Sequence, residues 1–353
     1  CYPEYSFMAR NILNHDNVKS IKKSIEANIK RHKDNNISAK RRILFVISSV
    51  TGGTPQTNQD LMDACQAYFE CFLLYCDGDI LKLYNSNGLK SNPIFAHKLS
   101  EPMHISSHRS SEYDEVFAEI LFRYSIDLVH LRHIARHSLG LMDVCQQFMV
   151  PIVFSLHDYY TVCPSLNLWT NNNVCCFGNC NDNCKIPLWS NDNFLLNKEF
   201  VSFWRNRFEK YFEKVDAIIS TDISVKENIE RIYQKKFDNF YIIPHGRNFK
   251  NLYHGHDFSK GDKLKIVIAG NINIAKGGNI IKKLSQKLPE CEFHIFGKVN
   301  SSLGSFGKNC ILYGVYERED LINKIYKTGA QIGLLTSLWP ETYCHTLTEY
   351  WAS

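Results

Sequence analysis

The 353-residue chain has no run of about 18 apolar residues, so the pattern of a membrane-spanning helix is missing. Its opening residues, Cys1-Tyr2-Pro3-Glu4, lack both the basic and the apolar segment of a secretion signal. Neither sign of charge dominates. The 41 Lys and Arg against 36 Asp and Glu leave a net charge of +5, short of a nucleic-acid binder's basic excess, and no nucleic-acid module is visible. No low-complexity tract or solenoid repeat occurs. With 44% hydrophobic and 22% charged residues, disorder is excluded and a packed core can form. Two domains are the default at this length. The expected setting is cytoplasmic. The mild basicity leaves room for peripheral contact with the inner membrane face.

Cysteine, in contrast, is plentiful. Its 13 residues are odd in number and scattered through strand-like and helix-like segments, which suits a reducing compartment rather than a disulfide scaffold.

Residues 1–40 are polar and basic, with Val18, Ile21, Ile25 and Ile29 at helical spacing. They read as an appended surface helix, the alternative being a membrane- or partner-binding one. Arg42 to Ser48 then reads as a buried strand running into Thr51-Gly52-Gly53-Thr54 and a helical pattern. That is the opening of a doubly wound α/β domain. Further strands are expected at Cys71–Tyr75, Asp127–Leu131, Ile152–Ser155, Ala217–Ser220 and Phe240–Ile243, with helices between most of them. The alternation implies a parallel sheet covered on both faces. Residues 247–262 read as a polar linker. The alternation restarts at Lys265–Ala269, with a helix at Gly278–Leu288, a strand at Phe293–Phe296, a helix at Glu319–Lys327 and a strand at Gln331–Leu335. The expected division is therefore an extension (1–40), a first Rossmann-like domain (41–246), a linker (247–262) and a second, incomplete Rossmann-like domain (263–353).

The last strand leads into Trp339-Pro340-Glu341-Thr342-Tyr343 and a helix-like run carrying Glu349. A strand, a short loop and a helix N-terminus present free backbone N–H groups to an anion. Glu341 is expected at that N-terminus, with Glu349 about 12 Å further along the helix. Two carboxylates beside a phosphate site suit a sugar–diphosphate–ribose ligand.

This E-x7-E pattern, together with His157-Asp158-Tyr159-Tyr160-Thr161-Val162-Cys163-Pro164, resembles the family 4 retaining glycosyltransferases. The similar members carry W-P-E-T-Y and H-D-Y-Y-x-x-C-P motifs and act in surface polysaccharide or O-antigen synthesis. The resemblance covers roughly residues 41–353. It implies the GT-B fold, an α/β architecture of two Rossmann-like domains facing a cleft. The first domain would lie on the acceptor side and the second would bind a nucleotide-sugar donor. Glu341 would contact the donor sugar and Glu349 the ribose hydroxyls, while His157 would contact the transferred sugar. Thr342, Tyr343 and Cys344 would line the donor site, with Cys344 where the family often has glycine.

Lys276 lies in a glycine-containing loop between strand and helix, where a cation can meet the charge of a diphosphate leaving group. The family usually has Lys-Gly here and an Arg after the strand-ending glycine. Asn271 holds the Arg position in this chain, which puts one phosphate contact in doubt. Gly52 and Gly53 form the matching loop of the first domain, which in the family faces the cleft near the donor phosphates or the acceptor, so the resemblance implies a donor-binding role for them. Asp158 could orient the His157 region or cap a turn. Arg132, His133, Arg136 and His137 form a basic patch that could face the cleft or be surface charge.

Cys163, Cys176, Cys180 and Cys184 are a candidate structural zinc set. Disulfides and uncoordinated thiols stay open.

The reaction expected is transfer of a hexosyl or deoxyhexosyl group from a nucleotide-sugar to a glycan or lipid-linked acceptor, with retention. No cofactor is required for catalysis, and no nucleic-acid partner is expected. A non-catalytic nucleotide- or glycan-binding protein and a GT-B nucleotide-sugar epimerase are the alternatives.

Overall fold

The computed structural model describes residues 40–103, 107–170, 172–181, 184, 186–187, 195–247, 249, 252–253 and 263–353. The expected N-terminal helix and most of the expected linker lie outside them. The chain divides into two compact units. Unit 1 holds residues up to His157, Asn206–Lys226 and Lys235–Gly246; unit 2 holds Asp158–Arg205, Glu227–Gln234 and Arg247–Ser353.

Unit 1 is built on an eight-stranded sheet. Its strands are β1 (Arg41–Ile47), β2 (Phe69–Cys76), β3 (Ile80–Tyr84), β4 (Phe95–Lys98), β5 (Leu128–Leu131), β6 (Ile152–Ser155), β9 (Ala217–Ser220) and β10 (Phe240–Ile242), in the spatial order β10-β9-β6-β5-β1-β2-β3-β4. β1 is an unbroken apolar run with Leu44, Val46 and Ile47 fully buried, as a strand covered on both faces requires. It pairs in parallel with β2 and β5, placing Val46 beside Leu74 and Leu131. β3 and β4 were not expected. They pair antiparallel to β2 and to each other, so the sheet is mixed, not wholly parallel. The turn into β3 is tight because Asp77 Oδ1 accepts from the N–H groups of Asp79 and Ile80 at 2.9 and 2.8 Å.

The helices begin where backbone chemistry allows. Helix α1 (Gly53–Cys65) starts after Gly52 at φ 90°, and Pro55 sits in its first turn, where its missing N–H costs nothing. Helix α2 (Ser111–Arg123) is capped by Ser110, whose Oγ accepts from the Tyr113 N–H at 3.2 Å, with Glu112 and Asp114 favourably placed in the first turn. Helix α3 (Gly140–Gln147) packs beside it. Two more helices, α4 (Lys198–Phe212) and α5 (Ile223–Tyr233), each run through residues of both units.

Unit 2 has a two-stranded ribbon, β7 (Ile186–Pro187) with β8 (Leu195–Leu196), and a four-stranded parallel sheet. The sheet comprises β11 (Lys265–Ala269), β12 (Glu292–Phe296), β13 (Cys310–Gly314) and β14 (Ile332–Gly333) in the order β13-β12-β11-β14. Its core joins Ile266, Ile268, Phe293 and Ile295 to Ile281 of helix α6 (Gly278–Lys287). On the other face Val267, Ala269 and Phe296 meet Leu321 and Ile325 of helix α7 (Arg318–Thr328). The last helix, α8, spans His345–Ala352.

Candidate functional site

In unit 2 the loop between β11 and α6 delivers Lys276. Its turn closes when Asn273 Oδ1 accepts from the Lys276 N–H at 2.9 Å. Gly277 then takes the left-handed conformation, φ 73°. Only glycine fits there, since a Cβ would stand 2.1 Å from the Thr336 carbonyl oxygen. Thr336 Oγ1 donates to the Lys276 carbonyl at 2.8 Å, and the Leu338 N–H donates to the Ala275 carbonyl at 2.9 Å. These bonds join the lysine loop to the segment leading into α8. As a result the Lys276 ammonium pairs with the Glu341 carboxylate, lies 5.6 Å from the Trp339 ring centroid, and shares Glu341 with the Ser337 hydroxyl.

Glu341 does not stand at the helix N-terminus. The residue preceding α8 is Cys344, in an extended conformation and without a side-chain cap, so Glu341 lies in the loop ahead of the helix. The helical rise therefore does not separate Glu341 from Glu349. Burial pushes the Cys344 thiol up to about 11, with Glu341 adding to the effect. Thr342 is buried, and the Tyr343 and Thr348 hydroxyls lie 2.9 Å apart across the first turn. Asn271 is exposed.

Glu349 is 4% exposed and ion-paired, a setting its sequence neighbours gave no sign of. Arg247 Nη2 stands 3.4 Å and Arg318 Nε 3.6 Å from its Oε1, and Arg247 Nη1 is 3.0 Å from His345 Nδ1. Burial raises the carboxyl pKa, and the two arginines oppose that. The neighbouring Tyr350 anchors the helix to the sheet. Its hydroxyl accepts from the Ala269 N–H at 2.8 Å, and its ring occupies the space beside Gly333. The sequence reading missed Arg247 and Arg318. They come from a polar stretch and from the start of α7, and no local spacing links them to Glu349.

The Asp158 carboxylate accepts from the Tyr160 N–H at 2.8 Å, so it caps a turn. Cys163, Cys176, Cys180 and Cys184, the expected zinc set, lie within electrostatic reach of one another. Among the described residues no group of three or more His, Cys, Asp or Glu is arranged to hold a metal ion. Cys163 contacts the Ser165 hydroxyl at 3.1 Å, and Cys180 Sγ accepts from Arg205 Nη2 at 3.3 Å. Burial pushes the Cys163 thiol up to about 11 and, with help from Cys180 and Cys163, the Cys184 thiol up to about 12. Arginines also staple this loop through its carbonyls. Arg205 donates to Val162 and Gly178 at 2.9 and 2.8 Å, and Arg231 to Phe177 at 2.6 Å.

In unit 1, Gly52 is exposed beside the start of α1, and Gly53 is the first residue of that helix. His157 follows β6 and stacks on His245, ring centroids 5.2 Å apart. Burial holds its pKa well below the ordinary imidazole value, and the Arg132 charge acts in the same direction. The basic patch is not surface charge. Arg132 and His137 are buried, and Arg136 Nη1 donates to the Asp77 carbonyl at 2.7 Å. Asp77-Gly78-Asp79, which directly follows β2, is taken up by the turn into β3.

Residues 95–250 match the family model described as Glycosyltransferase Family 4. Among solved structures, the chain is similar to the lipopolysaccharide outer core galactosyltransferase WaaB in its apo form, at 14% identity and TM-score 0.54 over 87% of this chain and 77% of that one. It is also similar to HepE of Anabaena in complex with UDP, at 12% identity and TM-score 0.48, again over 87% and 77% of the two chains. No curated protein matches in sequence. Two units, each built on a largely parallel Rossmann-like sheet, and the likeness to WaaB identify the architecture of this chain as the GT-B fold.

Proposed function

We propose that this chain is a retaining glycosyltransferase that moves a sugar from a nucleotide-sugar donor to a hydroxyl of a glycan or lipid-linked acceptor. The observation that carries the reading is the cluster in unit 2, where loops from β11 and β14 bring Lys276 and Glu341 into contact and α8 holds a buried Glu349. Lys276 would leave Glu341 to meet the donor diphosphate and stabilise charge on the leaving group. Freed, Glu341 would accept from hydroxyls of the transferred sugar and stand near the developing positive charge at its anomeric carbon. Glu349 keeps acceptor capacity beyond its two arginines and would take the ribose hydroxyls. The reading requires no metal, because Lys276 supplies the positive charge. His157, kept neutral, can donate a hydrogen bond to a sugar hydroxyl. Polysaccharide assembly at the cytoplasmic face of a membrane is the setting this reading favours.

Release of free nucleotide from a panel of nucleotide-sugars, by wild type and by Glu341→Ala, tests the proposal. Release with one donor, abolished in the variant, supports transfer. Tight nucleotide binding without release from any donor would instead favour the non-catalytic binding reading.

A further inference from the structure

Arg132 follows β5 directly and is 4% exposed. Its Nη1 donates to Ser155 Oγ and its Nη2 to Thr57 Oγ1, both at 3.3 Å, while its Nε has no hydrogen-bond partner. A guanidinium offers five N–H donors, and two long bonds to neutral hydroxyls satisfy few of them. Among the described residues no carboxylate acts on this charge. Burial pushes its pKa down to about 10, opposed only by the Cys65 thiol. The surroundings are basic as well. His130 shares Ser155 Oγ at 2.8 Å, and Arg132, His245, His130 and His133 all act on His157. Thr57 belongs to α1, whose N-terminus at Gly52 has no side-chain cap, no acid in its first turn, and open space beside the glycine. Gly52 is exposed and His133, His157 and His245 are half-buried, so solvent reaches this cluster.

A buried cation without a counter-charge is unfavourable, and an anion relieves it. We infer that this cluster binds a phosphate group carried by the acceptor. The inference rests on the transferase reading, which assigns the donor diphosphate to Lys276 in unit 2. The anion left for unit 1 is then a second one. A guanidinium fork, an uncapped helix N-terminus and histidine N–H groups suit phosphate oxygens. A lipid-linked phosphate and a soluble sugar phosphate present the same group.

Calorimetric titration with inorganic pyrophosphate, with and without a saturating nucleoside diphosphate, tests the inference on wild type and Arg132→Met. Pyrophosphate is expected to bind wild type in the presence of the nucleotide. Arg132→Met should weaken it by roughly tenfold or more, the loss of a charge-assisted pair, while nucleotide affinity stays unchanged. Without anion, Arg132→Met should melt no lower than wild type, since an uncompensated buried charge has gone. Should this variant not fold, Arg132→Lys keeps the charge but loses the fork, and should weaken pyrophosphate alone. Displacement of pyrophosphate by vesicles carrying a polyprenyl phosphate assigns the lipid-linked source; displacement by glucose 1-phosphate assigns the soluble one. Three results overturn the inference: no pyrophosphate binding to wild type, unchanged binding in the variants, or competition between pyrophosphate and the nucleotide. Failure of wild type to bind any nucleotide would instead sink the donor reading.

Discussion

Replacing Glu349 separates a donor-binding role from a structural one. At about 3.5 Å and an effective dielectric of about 20, each arginine attracts the carboxylate by about 5 kcal/mol. Against that stands the desolvation of three charged groups, several kcal/mol each. The net direction follows from the carboxyl pKa, which burial raises despite both arginines. A folded pKa above the unfolded value means that the stability contribution is complete below about 4.5 and is lost as pH rises through the folded pKa. At neutral pH the ionised carboxylate thus costs stability relative to its neutral form. Glu349→Gln, which imitates the neutral form, should change unfolding free energy by less than about 1 kcal/mol in urea melts at pH 7. Glu349→Ala leaves a cavity and should cost about 2–3 kcal/mol. Nucleoside diphosphate affinity should fall about 10- to 100-fold in both, the worth of a hydrogen bond to a charged group. A Glu349→Gln variant that loses 3 kcal/mol or more yet binds nucleotide like wild type would refute the reasoning and make Glu349 a structural ion-pair residue.

Lys276→Met should cost less than about 1 kcal/mol of stability, because its pair with Glu341 is partly exposed. The same change should weaken nucleoside diphosphates about tenfold or more by calorimetry, while a nucleoside without phosphate binds as before. Acidification should destabilise the fold. His108, His130, His137 and His157 all have pKa values lowered chiefly by burial, with His108 pushed down to about 3 and His137 to about 4. Their contribution is present above the unfolded value of about 6.5 and lost as pH falls toward the folded values. Asp114, pushed up to about 6 by burial, and Glu349, also raised by burial, work in the opposite sense with one proton each. Thermal midpoints should therefore drop steadily from pH 6.5 to 4, at a slope near 1.4 kcal/mol per pH unit for each net proton; a flat profile would contradict the burial of these rings.

The parts of the fold that were readable in the sequence are those where burial and chain order coincide. β1, β5, β6, β9 and β11 are short apolar runs covered by helices, and their period leaves little choice. β3 and β4 escaped because an antiparallel edge depends on the turn at Asp77, not on a strong run. β13 escaped because it is exposed over most of its length. The helix start was misplaced because Pro340 and Glu341 look like a first turn, whereas the residue before α8, Cys344, makes no side-chain cap that a reader could recognise. Glu341, Glu349 and Lys276 were legible through local motifs. Arg247 and Arg318 were not, and Arg132 was legible only as a member of a basic patch, since their partners come from distant elements that the sheets bring together.

Tyr350 decides which parts of the region around Glu349 can yield. Its hydroxyl is tied to the backbone of β11 and its ring fills the space that a side chain on Gly333 would need. The adjacent Glu349 therefore rides on the sheet as a fixed wall. Arg247 and Arg318, reaching it from separate segments on long flexible stems, are the adjustable members. On the proposed donor-site reading, selectivity for the nucleotide would lie in how cheaply two arginines can swing aside, a property of side-chain rotamers that can be retuned without rebuilding the fold.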